Sequence, residues 1–285
     1  MNYGSMPIDD GHLILSNEDK NIFFKENISS KKFIRRYIGG DEFINNKIRW
    51  CLWLVNVSPS EIRNSPLIKE RIELTRNFRL ASNRKATVNL GSMPSLFGEN
   101  RQPINDYIII PKVSSENRVY IPTGIVDSAT IVNGSALIIP DACLYHLGVL
   151  TSMMHMTWMK YVCGRMESRY QYSASIVYNN FPWPESPTEK QKETIEKAAQ
   201  KVLDARTQFP NSSLADLYDP LTMPPVLVKA HQDLDKAVDL AYRPQPFPTE
   251  ANRIEFLFNL YEKYTADLFS KEDPKNKKLR SNKHG

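Results

Sequence analysis

Glu116, Asn117 and Arg118 follow one another and offer an anionic acceptor, an amide and a guanidinium side by side. These are the groups that pair with base edges: guanidinium with guanine, amide with adenine, carboxylate with the cytosine amine. The flanking Ser114-Ser115 and Val119-Tyr120-Ile121-Pro122 predict a hairpin tip running into a strand. Tyr120, two residues on, is then expected on the same side as Arg118. A second set, Asp141, Cys143 and His146, has the types for nucleophilic chemistry, but its apolar flanks would raise the thiol pKa and argue against it.

Other routes to catalysis find little support. With eleven glycines the chain holds no phosphate or dinucleotide loop, and it has neither a Gly-x-Ser-x-Gly elbow nor a His-Glu-x-x-His motif. His146 and His155 lie nine apart on one expected helix, on opposite sides, and read as core histidines. Asn179-Asn180-Phe181-Pro182-Trp183 has one proline where the base-holding Asn/Asp-Pro-Pro-Tyr tetrapeptide of amino-group DNA methyltransferases has two. A binding module fits this inventory better than an enzyme. Cys51, Cys143 and Cys163 have no zinc-ligand spacing and read as reduced core residues of a cytoplasmic protein. No apolar run reaches eighteen residues, and the first residues lack the basic and apolar regions of a signal peptide.

The net charge is +5, but its distribution is uneven. Thirteen Lys/Arg against five Asp/Glu lie between Lys31 and Lys85, an excess of eight. Such a field suits a polyphosphate. Within it Lys69, Arg76 and Arg79 are the candidate phosphate contacts.

The elements that would carry these groups divide the chain in two. Residues 1–15 read as an extended lead-in. Ser16 with Asp19 starts a helix over about 17–26, and Ser30 starts a second through Phe33, Ile34 and Tyr37. Residues 48–55 read as a buried strand, and Ser65-Pro66 opens a helix to about Asn77. Residues 107–111, 119–122 and 136–140 predict three short strands, each stopped by proline, in a small mixed sheet. Leu144 to Arg165 predicts one core helix, apolar nearly all round. Tyr170 to Pro184, dense in aromatics, either fills a core corner or presents a stacking surface; the structural role is favoured, with Asn179 and Asn180 near enough to solvent to touch phosphate. Beyond residue 186, Ser186-Pro187-Thr188-Glu189, Pro224-Pro225 and Thr249-Glu250 open three amphipathic helices. The expectation is an α+β recognition domain over 16–185, an all-helical domain over 186–270 and a disordered basic tail over 271–285.

Several separated segments occur together. They are Gly4-Ser5-Met6-Pro7, Ile38-Gly39-Gly40-Asp41-Glu42-Phe43-Ile44-Asn45, Arg49-Trp50-Cys51-Leu52-Trp53-Leu54, Val113-Ser114-Ser115-Glu116-Asn117-Arg118, His146-Leu147-Gly148-Val149-Leu150-Thr151-Ser152 and Tyr170 to Pro184. In this order, over about residues 3–268, the sequence resembles the MmeI-like family of DNA adenine methyltransferases, often fused to an endonuclease. The resemblance implies a C-terminal part comprising a target recognition domain and a helical domain. It implies reading of duplex DNA so that a methyltransferase domain elsewhere can methylate adenine with S-adenosylmethionine, no cofactor being held by these residues. It places specificity determinants at Glu116, Asn117, Arg118 and Tyr120, and about thirty residues earlier at Arg84 and Lys85. Lys69, Arg76, Arg79 and Asn179 would hold the DNA backbone. A structural module that braces the methyltransferase domain is the alternative.

Overall fold

The structure, a computed structural model, describes residues 1–26 and 28–270. The expected tail over 271–285 lies outside these. The chain opens with two short strands, β1 (Asn2–Tyr3) and β2 (Ile14–Leu15), and helix α1 (Asn17–Glu26). Ser16 and Asp19 cap α1 reciprocally, each backbone amide donating to the other's side chain. Residues Ile28–Phe33 form a 3₁₀ turn and β3 (Ile34–Ile38) follows. A helix was expected through Ile34 and Tyr37. Pairing of β3 on both sides overrides the local cap signal, because a ladder with two neighbours satisfies the whole segment. Then come α2 (Gly40–Asn45), β4 (Trp50–Leu52), α3 (Pro59–Arg63), α4 (Pro66–Leu80) and α5 (Lys85–Asn89). Ser65 caps α4, and Pro66 occupies its first turn, where no amide is needed.

The middle of the chain supplies β5 (Tyr107–Pro111), β6 (Val113–Ser114), β7 (Gly124–Val126), β8 (Ile131–Val132) and β9 (Ala136–Ile139). No strand forms over residues 119–122; the next one begins at Gly124. The expected helix over 144–165 is two helices, α6 (Leu144–Thr151) and α7 (Met153–Val162). Ser152 separates them in an extended conformation (ψ 163°), its hydroxyl donating to the Val149 carbonyl and capping the His155 amide. A hairpin of β10 (Gly164–Met166) and β11 (Arg169–Gln171) follows, then a single π turn at Ala174–Tyr178. The C-terminal helices are α8 (Glu189–Thr207), α9 (Leu214–Leu217), α10 (Pro225–Tyr242) and α11 (Glu250–Ser270).

Three small sheets result, ordered β1-β9-β5-β7, β2-β4-β3-β8 and β10-β11-β6. All pairs are antiparallel except β3 with β8. The first fifteen residues, expected as an extended lead-in, are instead two short strands joined by a turn over residues 10–13, with Ile8, Asp10 and Gly11 at positive φ, and they are built in: β1 pairs with β9, β2 pairs with β4, and Leu13 and Leu15 are buried. Strand β5 is buried on both faces. Ile108 and Ile110 join the largest core, while Tyr107 and Ile109 face a smaller one with Ile38 and Val132. That largest core crosses residue 186. It joins Leu147, Leu150 and Trp158 to Ile195, Leu227, Leu234 and Leu257, so the helices after 186 share apolar packing with the sheet part. At this seam a Cβ on Gly148 would stand 2.6 Å from the Ile195 side chain; only glycine admits α8 this closely. The aromatic segment closes the seam: the Trp158 indole donates to the Val177 carbonyl, Tyr242 to Pro182 and Tyr264 to Trp183.

Candidate nucleic-acid interface

Strand register builds the site. Tyr170 pairs with Ser114 and Gln171 with Val113, antiparallel. Chain leaving β6 toward Glu116 therefore runs beside the tip of the β10–β11 hairpin, Glu167-Ser168. Glu167 takes φ 57° to make that two-residue loop. The result is a double rim, one edge being Ser114–Arg118 and the other the hairpin with Arg165 and Arg169.

Each rim side chain has a defined setting. The Glu116 carboxyl is held below the ordinary range by its own backbone amide and the Ser168 hydroxyl, with the charges of Arg165 and Arg169 adding to this. It stays an anionic acceptor at neutral pH. Asn117 is exposed, its backbone amide donating to Ser115 Oγ at 3.3 Å. Arg118 is half-buried, and burial pulls its pKa down against the favourable charge of Asp219. A guanidinium stays charged regardless. Of its five donors one makes a long contact, Nη1 to Ser114 Oγ at 3.4 Å, and no ion pair holds it among the described residues. Arg118 and Arg169 line a cleft of about 370 Å³ whose other wall is Asp41, Ile44 and Asn45 of α2.

A core helix continued through Arg165 hides the hairpin arginines, which the structure places on β10 and β11. Cys163 stands extended at the end of α7 (ψ 155°) and stops it there. The signal was Gly164 followed by two arginines flanking Glu167-Ser168. Arg165 lies over the Tyr170 ring at 4.2 Å and donates to the Ser168 carbonyl, while Arg169 pairs with Glu167 at 2.8 Å.

Two expected site residues are not on the surface. Tyr120 is 6% exposed and its hydroxyl donates to Asp235 Oδ2 at 2.7 Å. Without a strand over 119–122 the period-two argument that put it beside Arg118 does not apply. Arg79 is fully buried. Its Nε donates to the Ile8 carbonyl, Nη1 to Leu90 and Met93, and Nη2 to Pro7 and Leu96, at 2.7 to 3.1 Å. All five N–H groups are taken, leaving none for a phosphate.

Arg84 and Lys85 are exposed at the start of α5, beyond the end of α4 that Arg79 anchors. No hydrogen bond or ion pair joins them to the Ser114–Arg118 turn among the described residues. Lys69 and Arg76 are exposed and two turns apart on one face of α4, which also carries Glu73, 3.8 Å from Arg76. Asn179 is exposed at the end of the π turn; Asn180 is occupied, its amide donating to the Ser175 and Ile176 carbonyls.

The structure brings the candidate thiol and one imidazole together, without the candidate carboxylate. Cys143 is exposed at the start of α6, contrary to a core position, and its Sγ lies 3.2 Å from His146 Nδ1. No hydrogen bond or ion pair joins Asp141 to His146 among the described residues; its Oδ1 faces Asn105 at 3.5 Å. His155 sits on the other helix, buried, with Nε2 2.8 Å from the Tyr172 hydroxyl, and burial pushes its pKa down to about 3. Among the described residues no group of three or more His, Cys, Asp or Glu could hold a metal ion, and no helix is long and apolar enough to cross a membrane.

Known proteins share this architecture. A family profile described as "MmeI, target recognition domain" matches residues 1–185, and one described as "MmeI, C-terminal domain" matches residues 187–269. The chain is 40% identical over 265 residues to "DNA methyltransferase A" of Bacillus subtilis (strain 168), an alignment covering 93% of this chain and 30% of that protein. Among solved structures it matches the Type IIL restriction–modification enzyme MmeI in complex with DNA at 51% identity and a TM-score of 0.89, over 93% of this chain and 35% of that one. The chain thus spans about a third of the length of these relatives.

Proposed function

The chain belongs to the MmeI family, and from that premise we propose that it reads the sequence of duplex DNA for an adenine-N6 methyltransferase of a restriction–modification system. The carrying observation is the double rim. It presents an ionised carboxylate, an exposed amide and a guanidinium that forms no ion pair among the described residues, beside two further arginines. Arg118 suits guanine O6 and N7, Asn117 suits adenine, and Glu116 accepts from a cytosine amine. Arg165 and Arg169, on the hairpin beside these readers, are assigned to phosphates flanking the groove, with Arg84, Lys85, Lys69, Arg76 and Asn179 as further contacts. Support comes also from the MmeI relative, whose structure holds DNA and bears on engineering new specificities. The family's methyl donor, S-adenosylmethionine, we assign to a methyltransferase domain of the parent protein. What these residues contribute is register: they hold the duplex so that one adenine meets the reactive centre.

The test is made in the full-length parent. Arg118→Ala is expected to lower discrimination at one base position by roughly 10- to 100-fold, the worth of a bidentate base contact, while methylation continues. Mapping the methylated sites by sequencing reads this directly. An unchanged recognition sequence across Glu116→Lys, Asn117→Ala and Arg118→Ala would sink the reading and favour a bracing role.

A further inference from the structure

The chain leaving Arg118 enters no strand until Gly124, so its backbone has few ladder partners of its own. Side chains from the helices hold it instead. The Tyr120 ring stacks on His231 of α10 at 4.0 Å, and its hydroxyl donates to Asp235 one turn further along. The Ile121 amide meets Met156 Sδ at 3.3 Å. The Thr123 carbonyl accepts from Arg206 Nη1 of α8 at 2.5 Å. Arg206 also donates to the Tyr218 hydroxyl, which lies 2.8 Å from His231 Nε2.

Asp235 has a second bond. Its Oδ1 accepts from the Met153 amide at 2.6 Å, at the first residue of α7. The far end of α7 runs directly into the β10–β11 hairpin. One carboxylate therefore ties the strandless segment behind one edge of the rim and the start of the helix that bears the other edge. Such a bond set fixes spacing, which a site reading base edges needs to within a fraction of an ångström.

We propose that Asp235, acting through Tyr120 and the Met153 amide, is the positioning residue that sets the two edges of the DNA-reading rim in register, so that the C-terminal helices contribute to sequence discrimination without touching a base. This rests on the reading of the rim given above. The Asp235 carboxyl is buried, which raises its pKa; the Tyr120 hydroxyl and the Met153 amide oppose the rise. Each oxygen accepts from the protein itself, Oδ2 from Tyr120 and Oδ1 from the Met153 amide.

The experiment uses the full-length parent and compares methylation rates on the cognate duplex and on duplexes with single base changes. Tyr120→Phe keeps the ring stack and removes one hydrogen bond. It is expected to lower discrimination by roughly 3- to 10-fold, at the positions that Arg118→Ala also relaxes, in a folded protein whose unfolding midpoint falls because one buried carboxylate oxygen loses its donor. Asp235→Asn retains one acceptor of two and is expected to relax the same positions further. The double variant should lose less than the product of the two single losses, since both break one tie. Unchanged discrimination in Tyr120→Phe and Asp235→Asn, or a loss spread evenly over all duplexes, overturns the positioning role while leaving the rim intact. If Arg118→Ala is also without effect, the rim reading itself fails and the positioning role falls with it. Should Asp235→Asn fold poorly, Tyr120→Phe decides alone.

Discussion

Six of the thirteen cations between Lys31 and Lys85 are held by partners within the described fold, whereas Arg118, on the rim of residues 114–118 and 164–171, keeps donors in reserve. In the first region Lys32, Lys47, Arg49, Arg71 and Arg76 face carboxylates, and Arg79 spends every donor on backbone carbonyls. The excess of eight positive charges there overstates what a polyanion would meet. The rim has fewer cations: Arg169 pairs with Glu167, but Arg118 is held by one long hydrogen bond and Arg165 by carbonyl contacts and an aromatic face. Counting charge locates a field, and satisfaction of donors decides which charges can still bind.

The sharpest way to break this contrast is Arg79→Met. If Arg79 is structural, the change strands five carbonyls and lowers unfolding free energy by roughly 3–5 kcal/mol in denaturant titration, with no selective change in the sequence read. A folded variant with weakened DNA binding alone would move Arg79 back into the interface.

The support behind the rim is tested by pH. Burial raises the Asp235 pKa from the usual 3.8 to about 6, with Tyr120, Asp239 and Arg253 facing it. The folded state then binds this proton more tightly than the unfolded chain. Stability from this group is greatest below about pH 4 and falls as pH rises to about 6, by roughly 3 kcal/mol. Denaturation at pH 4 to 7 should show that slope, and Asp235→Asn should flatten it.

A smaller effect separates the two edges of the rim. Arg165→Ala with Arg169→Ala should weaken DNA binding about equally for all sequences. The slope of log affinity against log salt should fall by about 1 for each phosphate that is no longer neutralised. A sequence-dependent loss would make these arginines readers. The smallest change belongs to Lys32→Ala. Its pair with Glu61 is solvent-exposed, so the thermal unfolding midpoint should barely move and DNA selectivity should stay as it is.

Much of the scaffold was legible before folding was considered. Ser16 with Asp19 and Ser65-Pro66 marked helix beginnings that the structure keeps, because a cap works within one turn of chain, while α8 begins two residues later than the Ser186 signal, capped by Thr188 with Gln191. The isoleucine run of β5 and the apolar stripes of α8 and α10 announced burial by their periods. Errors fell where distant partners set the outcome. Ile34–Ile38 became strand through β4 and β8, and Asp235 takes the Met153 amide where Ser152 splits a helix that its apolar residues would have continued. The hairpin carrying Arg165 and Arg169 was hidden by the same overextended helix.

What the sequence determined by itself was therefore the local and the repetitive: helix starts, buried periods, and a row of base-edge partners at Glu116, Asn117 and Arg118. Only the tertiary structure decided which polar groups remain free. Arg79 and Tyr120 carry the same chemistry as surface readers, yet one is enclosed by five carbonyls and the other by Asp235 and His231. Whether a donor is already satisfied depends on acceptors brought from up to 115 residues away, and spacing along the chain holds no record of them.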